Sequence, residues 1–222
     1  MLVKVINYLM TSLELKENNM RPIMKELSLD PYAESLEGVS DFLDNMGEFK
    51  RVKTKYAKTG WDAASIHGYG SNPFDILKPG VLKSSVDIDT KLQWTTLKDN
   101  DVMKPVLEML DKLPCEFERV RFMKLEAGKI IGKHTDKIDK EIGFDDGQIV
   151  RIHMPIRTND DVVFTLYEGV KDKLGTEHNL KTGHYYYTDV TKAHAVRNTS
   201  DIDRIHLVAD CYSNDALRTL IA

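Results

Sequence analysis

The second half of the chain alternates hydrophobic and polar residues in short runs separated by Gly, Asn or Asp. Alternation with a period of two residues is typical of strands with one buried face. The runs between Pro114 and Tyr212 are FERVRFMKL, KIIGKH, QIVRIHMPIR, VVFTLYEG, GHYYYTD, AHAVRN and RIHLVADCY. Because no helical pattern separates these seven runs, the sequence predicts an antiparallel barrel or jelly roll rather than a parallel α/β sheet.

The first half of the chain has a different period. Up to about residue 47, apolar residues three and four positions apart predict short helices that end near Gly47, with Val39, Phe42, Leu43 and Met46 as the clearest example. The stretch NDVMKPVLEMLDKLP predicts a further helix, for which Asn100 or Asp101 can act as the N-cap. Between these segments, HGYGS is best interpreted as a turn, since no helix or Lys-Ser/Thr pair follows it as in a phosphate-binding loop.

Length and period together predict how the chain is organised. A chain of 222 residues, 41% of them hydrophobic, is long enough for one substantial core. We therefore expect a mainly β protein with N-terminal helices that forms one domain over residues 1–222. In this interpretation residues 1–113 are a mostly helical or mixed support region, and residues 114–212 form the β core.

Charge and cysteine content exclude several classes of function. A net charge of −4 and the lack of a Lys/Arg cluster disfavour a nucleic-acid surface. No run approaches the roughly 18 apolar residues of a membrane span. Cys115 and Cys211 form no CxxC motif, so a disulfide framework or zinc ribbon is not expected. We expect a cytoplasmic protein without nucleic-acid or membrane partners.

Histidines in the predicted strands suggest a metal site. His134 and Asp136 are two residues apart in GKHTDKIDKE, so they share a face if the chain remains extended. His194, at the start of a later strand, is the best third ligand. Two imidazoles and one carboxylate on one face of a metal leave positions for a cosubstrate and oxygen, as suits non-haem Fe(II). Taken singly, each of these residues is more often an ordinary polar residue of a turn or strand.

An arginine ten residues after His194 strengthens the metal hypothesis. HAVRNTSDIDRIHLVAD has the pattern of a strand, a polar turn and a strand. If Asn198 pairs with Arg204, then His194 lies opposite Val208, and Arg204 lies roughly 13 Å along the strand from it. A guanidinium inside a barrel needs an anionic partner. A five-carbon dicarboxylate bound at the metal by its 2-oxo acid end would supply one, and 2-oxoglutarate fits this description.

A second pair of polar residues lies in VRIHMPI, which places Arg151 and His153 on one face of another strand. These two residues could bind the same cosubstrate or the substrate. The alternative for both Arg151 and Arg204 is a structural ion pair with an aspartate such as Asp189 or Asp210.

The segment from about Arg119 to Tyr212 resembles the aspartyl/asparaginyl β-hydroxylase family of Fe(II)- and 2-oxoglutarate-dependent oxygenases, which includes bacterial free-proline hydroxylases. The stretches that carry the resemblance are VRFMKLEAGKIIGKHTD, VRIHMPI, GHYYYTDVTKAHAVRN and DRIHLVAD. Similarity to this family implies a double-stranded β-helix, the jelly-roll fold of cupins. Some vertebrate-type members lack the carboxylate ligand, whereas Asp136 is present here, which suggests the bacterial small-molecule branch.

Carried over residue by residue, the resemblance implies roles for six positions. It implies that His134, Asp136 and His194 bind Fe(II). It also implies that Arg204 anchors the distal carboxylate of 2-oxoglutarate, with help from Arg151 and His153 in binding this cosubstrate. The activity implied is hydroxylation of an aliphatic C–H bond of an amino acid or peptidyl residue by O2, coupled to decarboxylation of 2-oxoglutarate to succinate.

The substrate itself is less well determined by the sequence. A free amino acid would need a carboxylate clamp, for which Arg121, Arg157, Arg197 or His67 are candidates. Trp61 and Trp94 could border the entrance. Two other classes of function remain open: a cupin-like metalloenzyme with non-oxidative chemistry such as sugar isomerisation, and a non-catalytic binding barrel. Asp139 and Glu141 have no role in the metal site and are interpreted as part of a solvated loop.

Overall fold

The computed structural model describes residues 21–47, 49–52, 54–57, 59–74, 91–136, 142–169 and 171–222. Two antiparallel sheets dominate this part of the chain. Their strands, in chain order, are β1 (Met24–Glu26), β2 (Lys50–Arg51), β3 (Trp61–Tyr69), β4 (Leu92–Trp94), β5 (Phe117–Leu125), β6 (Ile130–His134), β7 (Ile149–Arg157), β8 (Val162–Tyr167), β9 (Thr176–His178), β10 (Tyr186–Thr188), β11 (Ala193–Asn198) and β12 (Arg204–Tyr212).

The larger sheet has the strand order β1-β10-β7-β12-β5-β3-β2, with β4 paired to β3. The smaller sheet has the order β6-β11-β8-β9. Apolar residues of both sheets form a shared cluster, to which Leu125 and Tyr186 contribute from the larger sheet and Phe164 and Val196 from the smaller. This face-to-face packing is the jelly roll expected from the alternating runs.

In the described segments, three α-helices accompany the sheets: α1 (Glu37–Asn45), α2 (Lys104–Asp111) and α3 (Asp215–Ile221). Two short 3₁₀ turns, Thr96–Asp99 and Asp101–Met103, precede α2. Asn100 caps the second 3₁₀ turn, because its side chain accepts a hydrogen bond from the Val102 N–H at 3.0 Å. The predicted cap is therefore only partly confirmed, since α2 itself begins after Met103 and has no side-chain cap. Gly47 follows α1 with φ of 97°, a left-handed conformation that glycine adopts without steric cost. Residues 1–20 of the predicted helical region lie outside the described residues.

The helices cover the outer face of the larger sheet, so its central strands are buried on both sides. Along β12, Ile205 and Leu207 belong to the same apolar cluster as Leu43 of α1 and Met109 of α2. The alternate residues, Arg204, His206, Val208 and Asp210, are also buried, with relative exposures of 4% or less. Charged and polar residues of β12 thus lie inside the molecule, where they require partners or ligands.

All seven runs identified from alternation are confirmed as strands, but one pairing prediction was wrong. β11 pairs with β6 and β8 in the smaller sheet, whereas β12 pairs with β5 and β7 in the larger sheet. Asn198 and Arg204 are therefore not partners in a hairpin, and His194 does not lie opposite Val208. The polar turn at 199–203 carries the chain from the smaller sheet to the larger one.

The region before residue 114 contributes more to the sheets than its weak alternation indicated. β3, a strand of nine residues, pairs with β5 in the larger sheet, and β1, β2 and β4 extend that sheet. HGYGS is only partly a turn, since Gly68 and Tyr69 end β3 and the turn begins at Gly70. The division of the chain near residue 113 remains a prediction.

Two remaining expectations concern the membrane and the cysteines. Among the described residues, no helix combines the length and hydropathy needed to cross a bilayer. Cys115 and Cys211 are both free. Cys211 is buried and Cys115 is half-buried.

The crossing between the sheets depends on Asn198, which yields a stability prediction. Its side-chain amide donates to the carbonyls of Leu125 at 3.1 Å and Ile202 at 2.8 Å, and its Oδ1 accepts from the Ser200 N–H at 3.1 Å. We expect Asn198→Ala to lower the free energy of unfolding by about 2–4 kcal/mol, because buried carbonyls lose their donors. Urea denaturation measures this, with exposed Asp201→Ala as the matched control. Equal stability of the two variants would contradict the role of Asn198.

Candidate active site

A pocket of about 120 Å³ lies between the inner faces of the two sheets. It is lined by residues of both sheets and by loop residues next to them. The structure brings all six residues predicted from the sequence to this one pocket: His134, Asp136, Arg151, His153, His194 and Arg204.

One end of the pocket holds the predicted metal ligands. His134 of β6 and His194 of β11 are directly opposite each other in the antiparallel register. Asp136 follows the end of β6, and its backbone N–H donates to the Val190 carbonyl at 3.0 Å. One potential ligand atom from each of the three residues lies within 4.8 Å of the others. Strand pairing therefore assembles a compact His/Asp/His group.

The two imidazoles are held in the tautomer that a metal requires. Nδ1 of His134 donates to the Gly132 carbonyl at 2.8 Å, and Nδ1 of His194 donates to the Lys192 carbonyl at 3.0 Å. In each ring the Nε2 lone pair is then left for a ligand. The Tyr56 ring stacks on His134 with centroids 3.8 Å apart, and Phe164 stacks on His194 at 5.7 Å. These rings limit rotation of the imidazoles.

The electrostatic environment favours the protonation states of metal ligands. Burial and the neighbouring His134 lower the pKa of His194 to about 4, and burial lowers the pKa of His134. Burial acts to raise the pKa of Asp136, but the charges of Arg151 and the two histidines outweigh it, so that the pKa is lowered. At neutral pH the group is thus two neutral imidazoles and one carboxylate, which fits the donor set of non-haem Fe(II).

The other end of the pocket contains buried polar atoms that no described residue satisfies. Arg204 is 2% exposed, and its Nε has no hydrogen-bond partner among the described residues. Its Nη2 donates to Nδ1 of His206 at 2.6 Å. Both ring nitrogens of His153 and Nε2 of His206 also lack partners in the part of the chain that is described. Burial lowers the pKa of Arg204 to about 9, as expected for a guanidinium that lacks a carboxylate.

Arg151 lies in a different environment from Arg204. Its Nε donates to Asp210 at 2.7 Å, and its Nη1 donates to the metal-ligand candidate Asp136. The same Asp210 carboxylate accepts from Arg119 at 2.9 Å and from Arg121 at 2.8 Å. The structural ion pair considered for Arg151 is therefore present, whereas none of the described carboxylates forms one with Arg204.

Several features of the pocket were not identified from the sequence. Tyr56 and the carbonyls of Gly132 and Lys192 orient the histidines, and Arg119 joins the group around Asp210. A signal for Arg119 existed, because FERVRFMKL places Arg119, Arg121 and Met123 on the face opposite Val120 and Phe122. Trp61 lines the pocket as expected, but Trp94 packs on the outer core. Asp139 and Glu141 lie outside the described residues.

The sequence matches one family model over residues 34–214, which is described as Aspartyl/Asparaginyl beta-hydroxylase. The chain belongs to this family. Members of the aspartyl/asparaginyl β-hydroxylase family are dioxygenases that use Fe(II) and 2-oxoglutarate, and the His/Asp/His group of this chain provides a matching metal site. Family membership favours this class over the non-oxidative metalloenzyme and the binding barrel. Among proteins of curated function, none matches the sequence significantly.

Three solved structures are similar to this chain, and one of them, OsALKBH1, supports the fold. OsALKBH1 superposes with a TM-score of 0.51 at 12% identity, over 86% of this chain and 99% of that chain. A prolyl-4-hydroxylase from Pseudomonas putida gives 0.44 at 12% identity, over 86% and 91% of the two chains. A Burkholderia pseudomallei oxidoreductase of the 2OG-Fe(II) oxygenase family gives 0.46 at 12% identity, over 81% of both. At these identities the likeness concerns the fold only.

The lowered pKa values of four histidines predict how the stability of the metal-free protein depends on pH. His134, His153, His194 and His206 have native pKa values below the value near 6.5 of the unfolded chain. Their contribution is fully present above pH 6.5 and is lost as the pH falls toward the native pKa values, because only the unfolded chain then binds protons. We expect a loss of about 1.4 kcal/mol for each of His153, His194 and His206 between pH 7.5 and 5.5, because their native pKa values lie far below that of the unfolded chain.

Urea denaturation in the presence of a chelator measures this loss. His153→Leu, which removes one titrating group, should reduce the pH-dependent loss by about the share of one histidine. A loss that is the same in His153→Leu and in the wild type would contradict the assignment for His153.

Proposed function

We propose that this protein hydroxylates an aliphatic C–H bond of an amino acid or peptidyl residue and decarboxylates 2-oxoglutarate to succinate. The observation that carries the proposal is the arrangement of one pocket. A His/Asp/His group lies at one end of it, and a buried arginine with an unsatisfied Nε lies at the other. A function assigned to this pocket must therefore use both the metal group and the buried arginine.

His134, Asp136 and His194 are proposed to hold the Fe(II). Their support is the register that places the two histidines opposite each other and the carbonyls that fix both tautomers. Arg151 holds the Asp136 carboxylate in place through its Nη1. Two imidazoles and one carboxylate would hold the ion with three protein ligands, which would leave coordination positions for the cosubstrate and oxygen.

Arg204 is proposed to bind the distal carboxylate of 2-oxoglutarate. An unpaired buried guanidinium is costly, so a bidentate carboxylate would offset its desolvation. His153 lines the same pocket as Arg204 and His194. Burial, followed by the charge of Arg204, lowers its pKa, so His153 is a neutral imidazole that can hydrogen-bond the cosubstrate. Arg151 and His153 are thus proposed to assist in binding 2-oxoglutarate.

Bound Fe(II) and 2-oxoglutarate supply the oxidation of the C–H bond by O2, and the chain supplies binding, orientation and exclusion of water. Tyr56, Phe164 and Val196 form apolar walls around the metal group. They shield it from bulk solvent. Residues 114–212 are proposed as the catalytic core of a single domain, and the cytoplasmic location remains a prediction.

Anaerobic addition of Fe(II) and 2-oxoglutarate to the metal-free protein tests the metal assignment. We expect a weak visible charge-transfer band in the wild type and its loss in His194→Ala, since two ligands no longer hold the ion. The matched control is Arg197→Gln, which changes an exposed residue of the same strand that pairs with Glu177. Absence of the band in the wild type would contradict the proposed function.

The cosubstrate assignment predicts a separate change in affinity. In Arg204→Met, we expect the Kd for 2-oxoglutarate to rise by about 10- to 1,000-fold, because a buried charge-assisted pair is lost. Calorimetric titration of the Fe(II)-loaded protein without oxygen measures this Kd. Arg197→Gln should remain within twofold of the wild type. An unchanged Kd in Arg204→Met would rule out Arg204 as the anchor.

A further inference from the structure

One wall of the pocket is used neither by the metal ligands nor by Arg204. It is formed by the inner faces of β3 and β5, where Arg121 and Met123 lie next to Trp61 and Ala63. Arg121 is the Cα partner of Val208, which in turn is the Cα partner of His153. Arg121 on β5 is therefore separated from the proposed cosubstrate residue His153 on β7 by the single strand β12.

Arg121 shares its carboxylate partner with two other arginines. Its Nη2 donates to Asp210 at 2.8 Å, but that carboxylate also accepts from Arg119 and Arg151. Arg119 pairs in addition with Glu118, and Arg151 with Asp136. Nε of Arg121 has no hydrogen-bond partner among the described residues, although the side chain is only 13% exposed. This unsatisfied buried donor leaves room for an anion at Arg121.

The metal group lies within electrostatic reach of this arginine. The charge of Asp136 acts to raise the pKa of Arg121, and the charge of Arg151 acts to lower it. Arg121 also lines the same pocket as His134, Asp136 and His194, so an anion bound at Arg121 would share that pocket with the metal group. It would be on the opposite side of β12 from the cosubstrate residue His153.

The other residues that could clamp a carboxylate are engaged elsewhere. Arg197 forms an exposed ion pair with Glu177. Arg157 pairs with Asp44 and donates to the Asp203 carbonyl. None of these residues lines the pocket, and neither does His67. Of the four candidates from the sequence, Arg121 is the one that the fold places beside the metal group.

Next to Arg121 the wall is apolar. Val52, Ala63, Met123 and Val208 form one cluster, against which Trp61 packs. In the described part of the pocket lining, the one carboxylate is Asp136, a proposed metal ligand. The wall thus offers an anion site and an aliphatic surface, and no separate carboxylate that would pair with an ammonium group.

We propose that Arg121 binds a carboxylate of the substrate and that Val52, Trp61, Ala63 and Met123 contact its aliphatic body. The substrate class is then a small aliphatic carboxylate, either a free acid or amino acid or the C-terminal residue of a short peptide. This assignment rests on the proposed function, because it places the substrate beside the Fe(II) and 2-oxoglutarate. The neutral amide of the same molecule is a poor ligand, since it cannot form the ion pair with Arg121.

Calorimetric titration of protein loaded with Fe(II) and saturating 2-oxoglutarate, without oxygen, tests the assignment. The probes are acid and amide pairs: 3-methylbutanoate, L-leucine and glycyl-glycyl-L-leucine, each against its carboxamide. We expect at least one acid to bind at least about tenfold more tightly than its amide, the strength of a charge-assisted pair. The acid that binds most tightly shows whether the carboxylate comes from a free acid, an amino acid or a peptide.

Three variants connect this preference to the wall. Arg121→Gln should reduce the acid-to-amide ratio to below about two, and Arg121→Lys should retain part of it, because the charge remains without the bidentate fork. Both should bind 2-oxoglutarate within about threefold of the wild type, which also shows that the pocket is folded. Ala63→Leu fills the space beside the apolar wall, so it should weaken the binding of acids and amides alike. Arg197→Gln is the matched arginine control and should preserve both the affinity and the ratio.

The outcomes separate this assignment from the proposed function. Failure of the wild type to bind 2-oxoglutarate would overturn both. Normal binding of 2-oxoglutarate overturns the Arg121 assignment alone if no acid binds or if amides bind as tightly as acids. The same conclusion follows if the preference survives in Arg121→Gln. Unchanged affinities in Ala63→Leu would overturn the placement of the aliphatic body.

Discussion

The carboxylate of Asp210 stabilises a group of charges that could not otherwise remain in the interior. Three guanidinium groups, from Arg119, Arg121 and Arg151, donate to its two oxygens from two neighbouring strands. The attraction of these arginines lowers the pKa of Asp210 against the effect of burial. Because Arg151 also donates to Asp136, the network links the centre of the larger sheet to the metal group. Loss of this one carboxylate would remove the ion pair of Arg121 and would leave Arg119 only Glu118 and Arg151 only Asp136 as ion-pair partners among the described residues.

The polar interior is possible because both faces of the larger sheet are covered. The three helices pack on its outer face, so the inner face is free to carry charged residues toward the smaller sheet. Rigid strand pairing then fixes their positions: His134 opposite His194 in one sheet, and Arg121, Val208 and His153 side by side in the other. A site built on paired strands retains its geometry better than one built on loops. Positioning of this kind is the main contribution that a protein makes to chemistry carried by a metal.

Much of the fold followed from alternation alone. The seven runs after Pro114 became strands with bounds within a few residues of those expected, because a strand buried on one face needs an apolar residue at every second position. β3 was harder to identify, since WDAASIHGY mixes small, polar and apolar residues without regular alternation. Its burial depends on the neighbouring strand β5. The pairing of β11 with β12 was wrong for a related reason. A short polar turn favours a hairpin locally, but strands distant in the chain decide the pairing: β6 and β8 pair with β11, and β5 and β7 pair with β12.

By itself the sequence determined the chemical types at the site, namely two histidines and an aspartate with a distant arginine, together with the family they resemble. It also placed Arg204, His206 and Val208 on a shared face, because side-chain direction in a strand follows from parity alone. The tertiary structure decided which of several arginines has a protein partner. Arg151 meets Asp210 and Asp136, whereas Arg204 meets His206 and no described carboxylate. Such a difference depends on residues far apart in the chain, and the energy of a charge depends on what surrounds it after folding.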